Sequence, residues 1–237
     1  SEEILDKVGI EEDKLPPLYP STAVVGELTE EAGEECGLLP GTPVVIGGGD
    51  GPCAACGAGV VEEGEAYLYL GSSSWIAFAS SQPFYDPEKR TFTFHHLEKG
   101  LFMPTGTMQS AGGSYQWCRD ALSEREKILA QELDVSVYQL MDLKASKVSP
   151  GCGGLLFLPY LLGERAPWWN PHARGAFIGL TPSHSKPHLI RSALEGVSLN
   201  LRIILDAFRE QGLCPDTLRL IGGGAKGDFW SNLLAQV

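Results

Sequence analysis

The sequence predicts an α/β or α+β protein in which short strands and helices form packed layers. Over three short runs, 66–70, 75–79 and 91–94, apolar and aromatic residues follow the two-residue alternation of β-strands. Farther along the chain, apolar residues recur at helical spacing, most clearly over 187–211. A meander of strands that gives way to alternating helices and strands is typical of a layered domain of this class.

The remaining elements can be placed in chain order. A short apolar run at 43–46 predicts a buried strand. Gly51 and Pro52 then open a helix of small residues that runs to about Gly59, since proline is tolerated in a first helical turn. A fourth strand is predicted at 103–108. Further along, we expect helices at 114–122 and 137–144, strands at 154–158 and 217–221, and a final helix after Gly222.

The longest predicted element is the helix over 187–211. Ser185 is placed to cap its start, Pro187 lies in its first turn, and Gly212 follows its end. Its apolar residues fall on one helical face. They are Ile190, Leu194, Val197, Leu201, Ile204, Leu205 and Phe208.

Composition excludes several classes of function. The 237 residues carry a formal net charge of −12, which argues against nucleic acids and anionic membrane surfaces as partners. No apolar run approaches the length of a membrane span, and the acidic, polar N-terminal stretch is not a secretory signal. Six scattered cysteines favour a reducing, cytoplasmic compartment. Cys53 and Cys56 form one CxxC without a second pair or a nearby histidine, so we expect no metal site.

The patterns at both ends of the sequence are typical of a truncated domain. The chain opens near a linker-like stretch, LPPLYPST, and closes on GDFWSNLLAQV, an apolar-periodic helix that has no stop signal. We therefore expect a piece of a larger protein.

Three predicted strands end in turns of small residues: VVIGGGDG at 44–51, YLYLGSSSW at 67–75 and LRLIGGGAKG at 218–227. Such turns expose successive backbone N–H groups, and serine hydroxyls add donors, so they suit a phosphate group. Neither the GxxxxGK[ST] loop nor the GxGxxG motif with its acidic partner fits them. The residues alone thus indicate a phosphate or nucleotide binder, provided that the turns converge.

Several motifs in succession resemble the C-terminal half of the FGGY family of carbohydrate kinases, and most of all its xylulokinases. The resemblance covers nearly the whole chain and implies the actin-like, ribonuclease-H-like ATPase fold, with two domains and a cleft between them. It implies that residues 1–60 are the tail of an N-terminal sugar-binding domain and residues 61–237 a C-terminally truncated nucleotide-binding domain. The motifs are GGGDGPCAACGAG (47–59), GSSSW (71–75), AGGSYQW (111–117), LLFLPYLLGERAPWWNPHARGAFIGL (155–180), HLIRSALEGVSLNLR (188–202) and IGGGAKGDFW (221–230).

The resemblance also implies a role for each matching residue. Asp50 corresponds to the family's catalytic base, which contacts the sugar hydroxyl that is phosphorylated. Gly71 and Ser72 correspond to the turn that meets the ATP phosphates, with Ser72 where the family often has threonine. The other matching positions are Gly112 and Gln116 at a nucleotide-contacting helix start, Gly223 and Gly224 in the adenosine turn, and Asp228 at an adenine-contacting position.

Phosphoryl transfer accounts for these residue types. The reaction needs a hydroxyl aligned with the γ-phosphorus and a neutralised phosphate charge, for which we expect Mg²⁺ on the ATP oxygens with few protein ligands. A carboxylate beside the hydroxyl orients it and accepts its proton. Asp50 could instead cap the helix that starts at Gly51, and the two roles are compatible. We expect Asp50 to face the turns near 72 and 223 across a groove.

The function implied by the resemblance is ATP-dependent phosphorylation of a ketopentose, with D-xylulose as substrate, ATP and Mg²⁺ as cofactors and a possible homodimer as the assembly. Alternatives are a kinase for ribulose or a deoxy-sugar, a non-catalytic actin-like nucleotide-binding module, and a carbohydrate-binding protein that does not use ATP. Gly51 speaks against glycerol, because relatives that phosphorylate glycerol often carry an amide side chain there. Most sugar contacts would lie outside this chain, so we expect it to have little or no kinase activity alone.

Two residue pairs have competing interpretations. Trp168 and Trp169 resemble a sugar-stacking pair, but tryptophans in a proline-rich loop are more often packing residues. Arg191 and Glu195 lie one turn apart on the long helix and are interpreted as a surface ion pair. Neither pair is assigned to the site.

Overall fold

The computed structural model describes all 237 residues, which divide into two compact units. Ser1–Cys53 forms the N-terminal unit and Ala54–Val237 forms the C-terminal unit. None of the helices is long and apolar enough to cross a membrane.

The N-terminal unit contains a two-stranded antiparallel sheet and short helices. Its strands are β1 (Val24–Glu27) and β2 (Pro43–Val45), and its complete helices are α1 (Glu2–Val8) and α2 (Glu30–Cys36). The strand predicted at 43–46 is therefore present, but its predicted burial is wrong. Val44 is 41% exposed and Val45 is 53% exposed, because β2 has β1 as its only strand partner.

The helix of small residues is α3 (Asp50–Gly57), which begins one residue earlier than predicted. Asp50 is thus the first helical residue, and Pro52 lies in the first turn, where its missing N–H costs no helical hydrogen bond.

A five-stranded sheet is the centre of the C-terminal unit. Its strand order is β5–β6–β4–β3–β9, in which β9 runs parallel to β3 and every other neighbouring pair is antiparallel. All five strands fall within two residues of their predicted positions. They are β3 (Ala66–Leu70), β4 (Ser74–Phe78), β5 (Phe92–His95), β6 (Phe102–Met108) and β9 (Leu218–Ile221).

Both faces of this sheet are covered. Because successive side chains point to opposite faces, Leu68 and Leu70 enter the larger core with the helices, whereas Tyr67 enters a smaller core with Ala55 of α3 and Val60. A separate two-stranded sheet consists of β7 (Leu156–Leu158) and β8 (Ala176–Ile178).

Five helices complete the C-terminal unit. They are α4 (Gly112–Leu122), α5 (Glu124–Leu133), α6 (Val137–Ala145), α7 (Lys186–Arg209) and α8 (Asp228–Gln236). The helix α5, which is rich in charged residues, was not predicted from the sequence.

The long helix α7 is the main packing element of the larger core. Ser185 and His188 form the capping box at its start, which confirms the predicted cap. It contacts α4, α6, α8, β6 and β7. The interpretation of Arg191 and Glu195 as a surface pair is wrong: their ion pair of 2.6 Å is almost buried, because other elements cover this face of α7.

A buried carboxylate joins three of these helices. The side chain of Glu126 in α5 is fully buried and pairs with Lys144 of α6 and, at 2.7 Å, with Lys186 of α7. Burial alone would raise the pKa of Glu126, but the hydrogen bonds from both lysines outweigh it and lower the pKa to about 2.

Replacing Glu126 by glutamine removes the charge that both lysines bind. We expect the free energy of unfolding, measured by urea denaturation at pH 7, to fall by about 1–3 kcal/mol. The matched control is Glu124→Gln in the same helix, whose side chain is 77% exposed, and its change should stay below about 0.5 kcal/mol.

The same carboxylate gives the stability a pH dependence of known sign. Its folded pKa of about 2 lies below the ordinary value of 4.5, so the stabilisation is complete above that value and declines as the pH falls towards 2. Glu126→Gln should lack this part of the acid sensitivity. The test compares the free energy of unfolding at about pH 5 and about pH 3, on either side of the ordinary glutamate pKa. Equal losses in the variant and the unaltered chain would contradict the assignment.

Candidate functional site

Two of the three glycine-rich turns lie together at one edge of the sheet. The turn at 71–73 follows β3, and the turn at 222–224 follows β9. These strands are parallel neighbours in which Tyr69 pairs with Ile221. The carboxyl ends of parallel strands meet at the same edge of a sheet, so the two turns are adjacent. The third turn, which precedes Asp50, belongs to the N-terminal unit.

Close packing explains two of the three glycines in the turn at 222–224. A Cβ on Gly222 would lie 2.7 Å from the Leu70 carbonyl oxygen, and one on Gly224 would lie 2.6 Å from the Leu70 Cδ2 atom. Gly222 also has a φ of 95°, which favours glycine. Gly223 differs from both, because it is exposed and a Cβ there would meet open space. Gly223 is thus the position of this turn that a ligand can approach.

The start of α4 packs directly on the hairpin turn between β3 and β4. The N–H groups of Ala111 and Gly113 donate to the Ser72 carbonyl, and the N–H of Gly112 donates to the Gly71 carbonyl at 2.8 Å. A Cβ on Gly112 would clash with that same Gly71 carbonyl. Close packing alone therefore requires glycine at position 112, whether or not a ligand binds there. The three N–H groups are already used within the chain.

The unused donors of the hairpin turn point to its ligand chemistry. The backbone N–H groups of Ser72 and Ser73 have no partner within the chain. The Gln116 side chain, one helical turn into α4, donates to the Ser72 hydroxyl at 3.4 Å, and both residues are exposed. Neighbouring N–H groups together with a hydroxyl and an amide form a set that hydrogen-bonds the oxygens of an anion such as phosphate.

Two acids, one predicted and one not, lie near the turn at 222–224. Asp228 is exposed in the first position of α8. Asp142 of α6 was not predicted as a site residue. Its Oδ2 atom lies 3.5 Å from the position that a Cβ atom would take at Gly227.

A buried tyrosine holds Asp142 in place. The Tyr115 hydroxyl donates to Asp142 at 2.7 Å, and burial raises the pKa of this carboxyl. The sequence signal for this acid is its position in α6: Asp142 lies three residues before the buried Ala145, on the same side of the helix.

Asp50 is exposed and available to solvent at the start of α3. Its Oδ1 atom accepts a hydrogen bond from the Gly51 N–H at 2.8 Å, which leaves the second carboxylate oxygen for other partners. The capping and ligand-binding interpretations of this residue are therefore chemically compatible. Asp50 lies in the N-terminal unit and the other candidate residues lie in the C-terminal unit, so its placement opposite the turns stays a prediction.

The two tryptophans of the proline-rich loop are half exposed, and both indole N–H groups have partners. Trp168 donates to the Tyr160 hydroxyl at 3.0 Å, and Trp169 donates to the Lys89 carbonyl at 2.6 Å. The Trp169 ring also lies beside Phe92 of β5. These contacts fit the interpretation of the pair as packing residues.

Two family models cover nearly all of the chain. The C-terminal domain of the FGGY family of carbohydrate kinases matches residues 66–237, and the N-terminal domain of the same family matches residues 1–57. Among characterised relatives, a gluconokinase of Bacillus licheniformis is 37% identical over 240 residues, which is 100% of this chain and 46% of that protein. A xylulose kinase of Bacillus subtilis is 33% identical, also over 100% of this chain and 46% of its own length.

Solved structures give the same result for the fold. A ligand-bound xylulose kinase from Lactobacillus acidophilus superposes with a TM-score of 0.87 at 29% identity, and a gluconate kinase from the same organism does so with 0.86 at 29%. Each comparison covers 100% of this chain and 46% of the other, so the chain spans about half the length of the relatives it matches. The actin-like ATPase fold expected from the sequence is confirmed. The chain belongs to the FGGY family of carbohydrate kinases.

Proposed function

We propose that this chain is the nucleotide-binding side of an ATP-dependent sugar kinase. The observation that carries the proposal is the adjacency of the turns at 71–73 and 222–224, with α4 packed against the first of them. One edge of the sheet thereby presents free backbone donors beside an open glycine surface. A nucleotide needs both features, because its phosphates accept hydrogen bonds from donors and its nucleoside packs on a flat surface.

The proposal assigns each end of ATP to one turn. The phosphates bind at Gly71 and Ser72, where free N–H groups and a hydroxyl are available, with Gln116 beside them. The adenosine lies over Gly223, and its neighbour Gly224 lets the turn approach β3. Gly112 supports this arrangement by packing, and Asp228 contacts the adenine end.

Asp50 is the proposed catalytic base. Its free carboxylate oxygen accepts a hydrogen bond from the sugar hydroxyl, orients that oxygen towards the γ-phosphorus and takes up its proton as the new P–O bond forms. The bond between the γ-phosphorus and the bridging oxygen breaks, and ADP leaves with that electron pair. The Gly51 N–H fixes the orientation of the carboxylate.

Mg²⁺ is the cofactor that this chemistry implies. The ion would neutralise charge on the phosphate oxygens of ATP. The chain contains no group of three or more histidine, cysteine, aspartate or glutamate side chains that could hold a metal. The donor set therefore fits an ion that is carried by the nucleotide, and we assign it no protein ligand.

For the sugar, we propose D-xylulose, which becomes D-xylulose 5-phosphate, with D-gluconate as a second candidate. The resemblance of the motifs and several relatives named xylulose kinase support the ketopentose. Two relatives named gluconokinase, 37% and 36% identical, support the sugar acid. Ribulose, a deoxy-sugar and a non-catalytic nucleotide-binding role are the remaining alternatives.

We also propose that residues 1–60 belong to the sugar-binding domain and residues 61–237 to the nucleotide-binding domain. The chain then supplies the base and the nucleotide side, while most sugar contacts come from elsewhere in the kinase. A homodimer stays a prediction, which the solution mass of the complete gene product would check.

Nucleotide binding is testable on the 237-residue chain itself. Gly223→Val places a side chain in the open space above the turn, so we expect calorimetry with Mg²⁺ and ADP to show a loss of affinity of about tenfold or more. Gly26→Val in β1 is the control, since a Cβ there also meets open space. Equal ADP affinity in both variants would remove the nucleotide from this turn.

The role of Asp50 is testable in the complete gene product. Asp50→Asn keeps the shape of the side chain but removes its basicity, so kcat should fall by about 10²- to 10⁴-fold with a modest change in KM. Asp13→Asn, an exposed acid in the same unit, is the control. A variant with unchanged turnover would show that Asp50 is not the base.

A sugar panel separates the candidate substrates. We expect ATP consumption by the complete gene product with D-xylulose or D-gluconate, and little or none by the 237-residue chain alone. Turnover by the isolated chain would contradict the proposed division of the site. Nucleotide binding without turnover of any sugar by the complete gene product would favour the non-catalytic alternative.

A further inference from the structure

A polar cavity of the C-terminal unit lies beside α8, whose first residue is Asp228. It has a volume of about 340 Å³ and is formed by the segment after α6, one residue of α7 and one face of α8. Its lining includes none of the residues assigned above to the sugar or the nucleotide. The proposed function therefore leaves this cavity without a role.

Arg191 is the residue of α7 that lines the cavity. Its side chain is only 7% exposed, and its Nε–H donates to Glu195 at 2.6 Å. The guanidinium also packs on the Phe229 ring, with 5.4 Å from its central carbon to the ring centroid.

The terminal nitrogens of Arg191 have no hydrogen-bond partner in the chain. Both nitrogens keep some contact with solvent, and Arg191 is part of the cavity lining. A buried guanidinium with free N–H groups is costly unless a ligand or water satisfies them.

The charge around this cavity is positive. Lys147, the other charged residue of the lining, forms no ion pair, and no aspartate or glutamate lines the cavity. Glu195 lies against Arg191 Nε, and its oxygens also accept from the Gly151 N–H and the Cys152 thiol. The whole chain carries a net charge of −12 and therefore repels anions. An anion can be attracted only where cationic donors are locally in excess, as they are in this lining.

We propose that this cavity is a binding site for a small phosphate-bearing anion, separate from the nucleotide turns. The Arg191 fork supplies two parallel donors to the phosphate oxygens, and Lys147 supplies a second positive charge. Asn232 of α8 also lines the cavity and carries an amide donor. The cavity volume lies at the lower end of the range of ligand pockets, which suits a molecule the size of a phosphate or sugar phosphate.

The test is a calorimetric titration of inorganic phosphate into the 237-residue chain at constant ionic strength. We expect saturable binding that Arg191→Met and Lys147→Gln each weaken by about tenfold. Arg191→Met also removes the pair with Glu195, so its folding is checked by thermal unfolding. Lys147→Gln changes an exposed side chain without an ion-pair partner and keeps the test valid if the first variant does not fold.

Two controls separate this site from the nucleotide turns. Lys99→Gln, an exposed lysine outside the cavity, and Ser72→Ala, in the turn proposed for the ATP phosphates, should leave the phosphate affinity unchanged. Arg191→Met and Lys147→Gln should in turn leave the affinity for Mg²⁺ and ADP unchanged.

The proposal is overturned if the unaltered chain does not bind phosphate, or if Lys147→Gln binds it as tightly as the unaltered chain does. It is also overturned if Ser72→Ala alone abolishes binding, since phosphate would then occupy the turn proposed for the ATP phosphates. That last result would support the proposed function while it removes this second site, so failures of the two proposals are distinguishable.

Discussion

The close approach of three backbone segments at the end of β3 is the constraint on which the candidate site depends. Gly222 and Gly224 lie against Leu70, and Gly112 lies against the carbonyl of Gly71. At Gly222 and Gly112 the nearest atoms are backbone, which cannot move aside as a flexible side chain can, so a larger residue there displaces a whole turn. The free N–H groups of Ser72 and Ser73 are held in position by packing of main chain against main chain.

The larger core makes that edge of the sheet rigid. Leu70, whose side chain is fully buried, shares this core with α7, while Gly106 of β6 leaves room for Ile204 and Phe208. A helix of 24 residues thereby lies across several strands at short range. Burial of each large apolar side chain contributes about 1.5–3 kcal/mol, so the strand ends beneath the turns are well anchored.

The sequence predicted the periodic elements well and the coverage of their surfaces poorly. The alternation over β3 to β6 and the apolar face of α7 are local signals, and they placed these elements within two residues. Whether a polar face is covered depends on distant segments, so a local pattern predicts neither the burial of Arg191 nor the position of Asp142 beside Gly227. The same limit explains β2, whose apolar composition predicts burial that the chain does not supply.

The two proposed anion sites would hold their ligands in physically different ways. At the hairpin turn the donors are neutral N–H groups, which favour a phosphate through oriented dipoles and carry no net charge that would need neutralising in the empty state. At the cavity beside Arg191 the donor is a guanidinium that pairs with Glu195 through Nε and whose terminal nitrogens have no partner within the chain. A dipolar site suits a ligand that must enter and leave at every turnover, because neither state leaves an unpaired buried charge. An unpaired buried charge is costly, so Glu195 keeps the Arg191 guanidinium partnered when no anion is bound, while the terminal N–H groups stay available to one.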